Sequence, residues 1–508
     1  MKIKLNILLL AVSLLLAADL SAQVSQPMRL EIDVDGLGFE LASAGDKGLF
    51  LFRNINLPMQ AGKQVMEVLQ VDTSLSVNWR REYIIDTEYS KLGQFYINGE
   101  LYLLFSSVLQ GNKRMSIVSF DVKSGVVQNY GIKNFIPFTY FDFKIINNTV
   151  LIGGYYNYRP LVVLYNLENK IPKVLPGFFN ERSTLIEMKV NDNNTFDIIL
   201  NGNDIDKNGT LFINTFDESG TLLKKISLEA EKSKSLLFGR AETLSDQAQI
   251  VAGVYGKRHS EYSRGVFIAN INEYGEQKIK FYNYAELQNF FHYMKARRER
   301  RIMSRIERKK IKDKRIRFNY RLLVHQLIRH QDQYILLGEA FYPKYRTITS
   351  GNNNLFTGGW VINRGIFSQQ VVFDGYRYTH AVLLGFDERG NLLWDNSFEI
   401  NDVTSFELEQ FVHAYTSKDQ IGLLYVYDNA IRSKIVSKNQ VLEGKEQHEI
   451  ALTNSSDELV EKSTKIGGLE RWYGNVFFTY GTQQIRNFTA SGVPITRNVF
   501  FLNKVVFE

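Results

Sequence analysis

The stretch 379–398, THAVLLGFDERGNLLWDNSF, constrains the chain more than any other, because the chain keeps rewriting it. An apolar run from Ala381 to Phe386 leads into Asp387-Glu388-Arg389-Gly390, and a second run, Leu392 to Trp394, leads out. Asp at the first turn position accepts hydrogen bonds from the backbone ahead of it, and Gly three residues later takes a positive φ. The pattern predicts a β-hairpin closed by a tight, bulged turn. The same sentence runs from Ser116 through Asp121 to Gly125, from Leu211 through Asp217 to Gly220, and from Val266 through Asn272 to Gly275. Weaker copies lie at 65–83, 160–175 and 430–450. Gly220 and Gly275 are 55 residues apart, and Gly125 and Gly220 span two units in 95. A fixed period of this kind decides the fold class before any other signal does.

Each copy is preceded by another pair of apolar runs, so the unit has four strands. Eight units fit between residue 38 and the end of the chain, with seven as the alternative if one weak repeat is miscounted. The expected fold is an all-β propeller of four-stranded blades. The last unit is one strand short. Residues 28–35, MRLEIDVD, form a spare alternating strand at the other end. Adding it to the last blade would pair an open edge and close the propeller.

Hairpins of this type resemble the blades of quinoprotein-like (PQQ-type) propellers of exported bacterial proteins, which carry an Asp, a Gly a few residues on and a Trp in the last strand. This chain has Asp387, Gly390 and Trp394 in blade six, Asp121 and Gly125 in blade two, and Trp79 in the last strand of blade one. The other blades lack the Trp. The resemblance implies the fold and little about activity; many such propellers bind no quinone, and no cofactor is expected here.

Residues 1–22 read as a secretory signal: Lys2 and Lys4, an apolar run from Ile7 to Ala17, and a small-residue site ending at Ala22. No later stretch is apolar enough to span a bilayer, so none is expected after signal removal. There are no cysteines among 508 residues. That excludes thiol catalysis, thiolate metal sites and lipid attachment to an N-terminal Cys, and it fits a periplasmic or cell-surface protein.

Two insertions break the period, 284–317 and 343–378. The first reads as a helix, with Leu287, Phe290, Phe291, Met294, Ile302, Met303 and Ile306 at three- and four-residue spacing. From Lys295 to Arg317 it carries thirteen basic and three acidic residues, so the rest of a chain of formal charge +7 sums to −3. It is either a solvated helix docked by its apolar stripe or a contact for an anionic surface, through Arg297, Arg298, Arg301, Arg305, Arg308, Lys309 and Lys312. Its removal is expected to leave a folded protein that has lost its partner. The second insertion, rich in Asn, Gly and aromatics, reads as a loop. In an antiparallel blade the two emerge on one face and should stand side by side.

Second strands tend to end in Tyr followed by a cation. Tyr158, Arg159, Tyr255, Arg258, Arg264, Tyr342, Arg346, Arg432, Tyr480 and Arg486 are candidates for a ligand-binding rim, or else space-filling phenols beside solvated cations. Asp204, Asp206 and Asn208 have calcium-loop spacing, but Thr215 stands at the twelfth position and Phe212 at the ninth, so an Asx-rich turn is the better reading. The seven histidines show no metal spacing, and no nucleophile-elbow or phosphate-loop motif occurs.

Two functions remain, beside a purely structural role in which no face binds anything. One is an exported, non-catalytic propeller that binds a protein or a polyanionic glycan or lipid surface through the loops of blades four to six. The other is a carbohydrate-active hydrolase or lyase working in the central channel. Export makes nucleic acid an unsuitable partner, and oligomeric state has no signature.

Overall fold

A computed structural model describes residues 24–35, 38–55, 62–107, 114–132, 139–176, 183–231, 233–244, 248–350, 368–454, 456–460, 462–488 and 494–507. The expected signal, 1–22, lies outside these residues, as does the centre of the second insertion, including 352–354 and 358–360. Among the described residues the strands form eight antiparallel sheets of four or five strands, the blades of an eight-bladed β-propeller. Blades one to seven cover 40–86, 89–132, 139–174, 184–227, 235–283, 321–399 and 413–449. Blade eight covers 458–507 and takes the strand Val24–Asp33 as its outer edge. The chain divides into two compact units, Glu231–Gln410 with blades five and six, and the remainder with the other six.

In the larger unit the two ends of the chain meet in one sheet, as the spare strand required. Met28 pairs with Lys504 and the register runs on to Asp33 against Val499. The strand begins at Val24, four residues before the alternating segment. Arg29, almost wholly buried, fixes it. Its guanidinium reaches Glu31 at 2.7 Å, the Ala451 carbonyl at 2.9 Å, Asn503 at 3.0 Å and Gln483 at 2.9 Å. Burial alone would raise the Glu31 carboxyl, but bonds from Thr453 and Arg29 outweigh it and hold the group below its ordinary value.

Within each unit apolar side chains fill the seams between consecutive blades. Phe50, Val68, Trp79, Leu101 and Phe120 close blades one and two, and Trp472, Phe478, Phe500, Leu49 and Leu69 close blades eight and one. The turn motif works within this packing. Asp121 accepts the Ser124 amide at 2.6 Å, and Trp79 of blade one donates its indole N–H to the Val122 carbonyl at 2.9 Å while lying over Gly125.

In the smaller unit the same grip is made without Trp. Asp387 accepts the amides of Arg389 and Asn391 at 2.9 and 2.7 Å. From blade five, Tyr282 donates to the Gly390 carbonyl at 2.7 Å and Lys280 to the Arg389 carbonyl at 2.8 Å. Trp394 stays in its own blade, over Gly385, and donates to Gln333 at 2.8 Å.

Both insertions depart from the sequence reading. The α-helix, α1, covers only Ala296–Ile311. The first half of 284–317 is a capped 3-10 turn followed by irregular chain, whose apolar residues at helical spacing drop into the core: Leu287, Phe290 and Phe291 are buried between blades five and six. Buried Asp395 accepts the Gln288 and Asn289 amides at 2.8 and 2.7 Å, which diverts this backbone from helical bonding. The second insertion is not a loop over its whole length. The strands of blade six run on as a ribbon, Gln333–Ser350 against Ser368–Asp387, because Tyr345, Arg346 and Thr347 face Phe373, Val372 and Val371 in register.

Gly390 sits at φ +72°, and a Cβ there would lie 3.0 Å from Ile268 Cγ2. Gly390→Ala is expected to lower stability by about 1–2 kcal/mol, whereas Gly444→Ala, in open space, should change it by less than about 0.5 kcal/mol; paired chemical melts measure both. Removing 296–311 behind a short linker should leave a cooperative melt. Removing 284–317, which empties the sites of Leu287, Phe290 and Phe291, should cost more than about 5 kcal/mol or abolish folding.

Candidate binding site

α1 lies on the smaller unit by one side only. Ile306 is buried, and Ile302 and Met303 pack half-buried against the seam of blades five and six. Arg297, Arg301, Arg305, Arg308 and Lys312 follow one another at spacings of four, four, three and four, within a stripe of about 80° opposite Ile306. All five are exposed, as is Arg298, while Lys309 is half-buried. Among the described residues none of these seven forms an ion pair. Glu299 turns instead towards His292, at 3.2 Å. Like charges three or four residues apart each destabilise a helix by roughly 0.2–0.5 kcal/mol, so the stripe costs α1 on the order of 1–2 kcal/mol.

At the start of α1 a cleft of about 840 Å³ opens between the two insertions. Tyr293, Lys295 and Arg298 line it from the first, Tyr320 and Arg321 from the start of blade six, and Tyr342 and Arg377 from the root of the ribbon. Glu399 and Asp402 line it from the end of blade six, and Tyr262 from blade five. Arg377 pairs with Asp402 at 3.3 Å, and the Arg321 guanidinium lies 5.0 Å from the Tyr262 ring. Tyr293 stacks at 3.6 Å on His380, which is fully buried. Thr379 donates to the Ala340 carbonyl and contacts His380 Nδ1 at 2.9 Å, while Nε2 has no partner. Burial lowers this imidazole to about 3, so it is neutral. Burial also pushes the Tyr293 and Tyr320 phenols well up, so both stay protonated.

A second, smaller cleft of about 430 Å³ lies at the far end of α1. Lys234, Arg264, Lys310, Lys314, Arg315 and Arg317 line it, with Glu286 and Asp313.

The residues read as a rim divide between the units. In the smaller unit Tyr342 and Arg264 reach clefts, Arg258 is exposed beside His259, and Arg346 is exposed near Asp374 at 3.6 Å. Tyr255 is a buried ring packed on Phe281 at 5.0 Å that also lines the second cleft. In the larger unit Tyr158 projects at a positive-φ turn and is almost fully exposed beside exposed Arg159. Arg432 lies over Tyr425 and Tyr427. Tyr480 lies inside a strand that runs on to Phe488; its ring packs on Phe478 and Phe500 and its hydroxyl bonds Glu470, while Arg486 is exposed.

Asp204, Asp206 and Asn208 form a hairpin turn in which Asp204 accepts the Asn208 amide at 2.7 Å, and no metal-holding group of acids and histidines occurs among the described residues. Sequence reasoning passed over Tyr262, Tyr293, Arg321, Arg377, Glu399, Asp402 and the buried His325–Glu339 pair at 2.8 Å. Tyr262, Tyr293 and Asp402 sit in turns and irregular chain and Arg321 and Glu399 at strand ends, while His325, Glu339 and Arg377 lie inside strands; no periodic signal sets any of them apart.

No family model matches the chain, and no curated protein matches it. Among solved structures it is similar to the polysaccharide lyase Uly1 (9% identity, TM-score 0.40, 82% of this chain and 90% of that one). It is similar also to the Dos1 propeller (12%, 0.39, 80% and 89%) and to the β-propeller domain of the Trilobed protease from Pyrococcus furiosus (8%, 0.37, 81% and 93%). Likeness this distant says nothing of activity.

Because folded His380 titrates far below the ordinary imidazole value, the folded state binds fewer protons than the unfolded one. Its contribution is present above that value and is lost as pH falls, by up to about 1.4 kcal/mol per unit. Between roughly pH 6.5 and 5 the stability of the wild type should decline, and His380→Phe should flatten this slope in chemical denaturation.

Proposed function

We propose that this chain is an exported, non-catalytic binding propeller that holds an extended anionic partner on the face of blades five and six. The observation that carries this reading is the stripe Arg297, Arg301, Arg305, Arg308 and Lys312, exposed, unpaired among the described residues and turned away from the docked side of α1. Repulsion along it weakens the helix, and a row of anions laid against it would relieve that repulsion. The stripe is about 22 Å long with a cation every 5–6 Å or so, which suits a linear partner better than a single ion. The basic charge of the chain is concentrated here, and the elements that present it are the insertions, carried by a rigid scaffold.

The test is calorimetry with polygalacturonate at low and high salt, comparing the wild type with Arg301→Glu/Arg305→Glu. Binding should weaken with salt, and the double variant should lose about tenfold or more in affinity with an unchanged melting profile. Equal affinity in the double variant would overturn the reading.

A further inference from the structure

We propose that the 840 Å³ cleft at the start of α1 is a subsite for one acidic sugar residue of that partner, so that the polyanion is a glycan carrying an acid group and free hydroxyls on its rings. This deepens the polyanion reading and rests on it.

The cleft continues the cation row, since Lys295 and Arg298 line it and Arg297 and Arg301 lead away from it along α1. It is nevertheless not a purely cationic site. Four cations, Lys295, Arg298, Arg321 and Arg377, share it with two carboxylates, Glu399 and Asp402. A phosphate chain or a lipid headgroup presents acceptors throughout, and those two carboxylates would repel it. A sugar ring offers hydroxyl donors as well as its acid group, and uses both signs: cations for the acid, carboxylates for the hydroxyls.

Three further features fit a ring. Tyr262 and Tyr342 are 45% and 44% exposed, and line the cleft with flat apolar faces and polar tips. Tyr293 is locked in place by its stack on buried His380 and its 3.3 Å contact with the Tyr320 hydroxyl, and its own hydroxyl stays a donor. Arg321 keeps a buried Nε with no partner although its terminal nitrogen bonds Glu261. The volume lies in the range of pockets that enclose small ligands, enough for a ring and part of its neighbour.

The test measures two probes, oligogalacturonate and inorganic polyphosphate matched for charge, on the wild type, Glu399→Ala/Asp402→Asn, Tyr262→Ala and the stripe variant. Asn at 402 tolerates the left-handed backbone there, φ +61°. The wild type should prefer the oligouronide by about tenfold. Glu399→Ala/Asp402→Asn should move the probes in opposite directions, weakening oligouronide and strengthening polyphosphate by about threefold or more each. Tyr262→Ala should weaken oligouronide alone. If both probes strengthen together in the carboxylate variant, or the wild type binds polyphosphate as tightly, the subsite is overturned while the stripe reading stands. If neither probe binds the wild type, the stripe reading falls and the subsite with it.

Discussion

Every blade of this protein is apolar on both faces, and the rest of the structure follows from that. A sheet that is apolar on one side can rest against water with the other. One that is apolar on both must be covered twice, and the cheapest cover is another copy of itself. Hence the seams, in which Phe50, Trp79 and Phe120 or Trp472, Phe478 and Phe500 interleave. The repeated geometry of the turns has the same origin. An Asp-headed turn presents carbonyls at a fixed height, and side chains from the preceding blade, Trp79 in one case and Tyr282 with Lys280 in another, take hold of them. The grip is a role that different residues fill.

This division explains what the sequence made legible. Asp and Gly at turns carry backbone requirements that only a few residue types meet, so the hairpins could be counted and the closing strand foreseen. The β-bulges in the first strands, between Leu236 and Phe238 or Val324 and Gln326, left no mark, because many residues tolerate one extra position. The helix was overread for a related reason. Leu287, Phe290 and Phe291 have helical spacing, but Asp395, more than a hundred residues later, takes the amides on which a helix would depend. A tertiary carboxylate overrode a local pattern. The ribbon beyond blade six was hidden by its Asn- and Gly-rich middle, which drew attention from the pairing flanks.

The binding face shows the same split. Its cations were visible as a run of charge, while the phenols and carboxylates that give the cleft its character come from five separate places in 231–410. Arg298 and Tyr342 are far apart in the chain, and the fold brings both to one cleft. Charge alone would suggest indiscriminate attraction. Glu399 and Asp402 argue for selection, since they reject part of what Lys295 and Arg298 would attract.

The pairing of Val24–Asp33 with the last strand has a consequence in time. Val24 lies opposite Phe507, so the ladder joins residues about 480 apart, a loop whose closure costs on the order of 5 kcal/mol of chain entropy. Nearly the whole chain must be synthesised before its first strand finds a neighbour. Until then that alternating strand has no mate and is open to misregistered pairing with any sheet edge nearby. Arg29 acts against this outcome. Its guanidinium finds Asn503, Gln483 and the Ala451 carbonyl together in the correct alignment, and a slip of one residue would strand a charge in the interior. The arginine thus serves as a proofreading device for the final step of assembly.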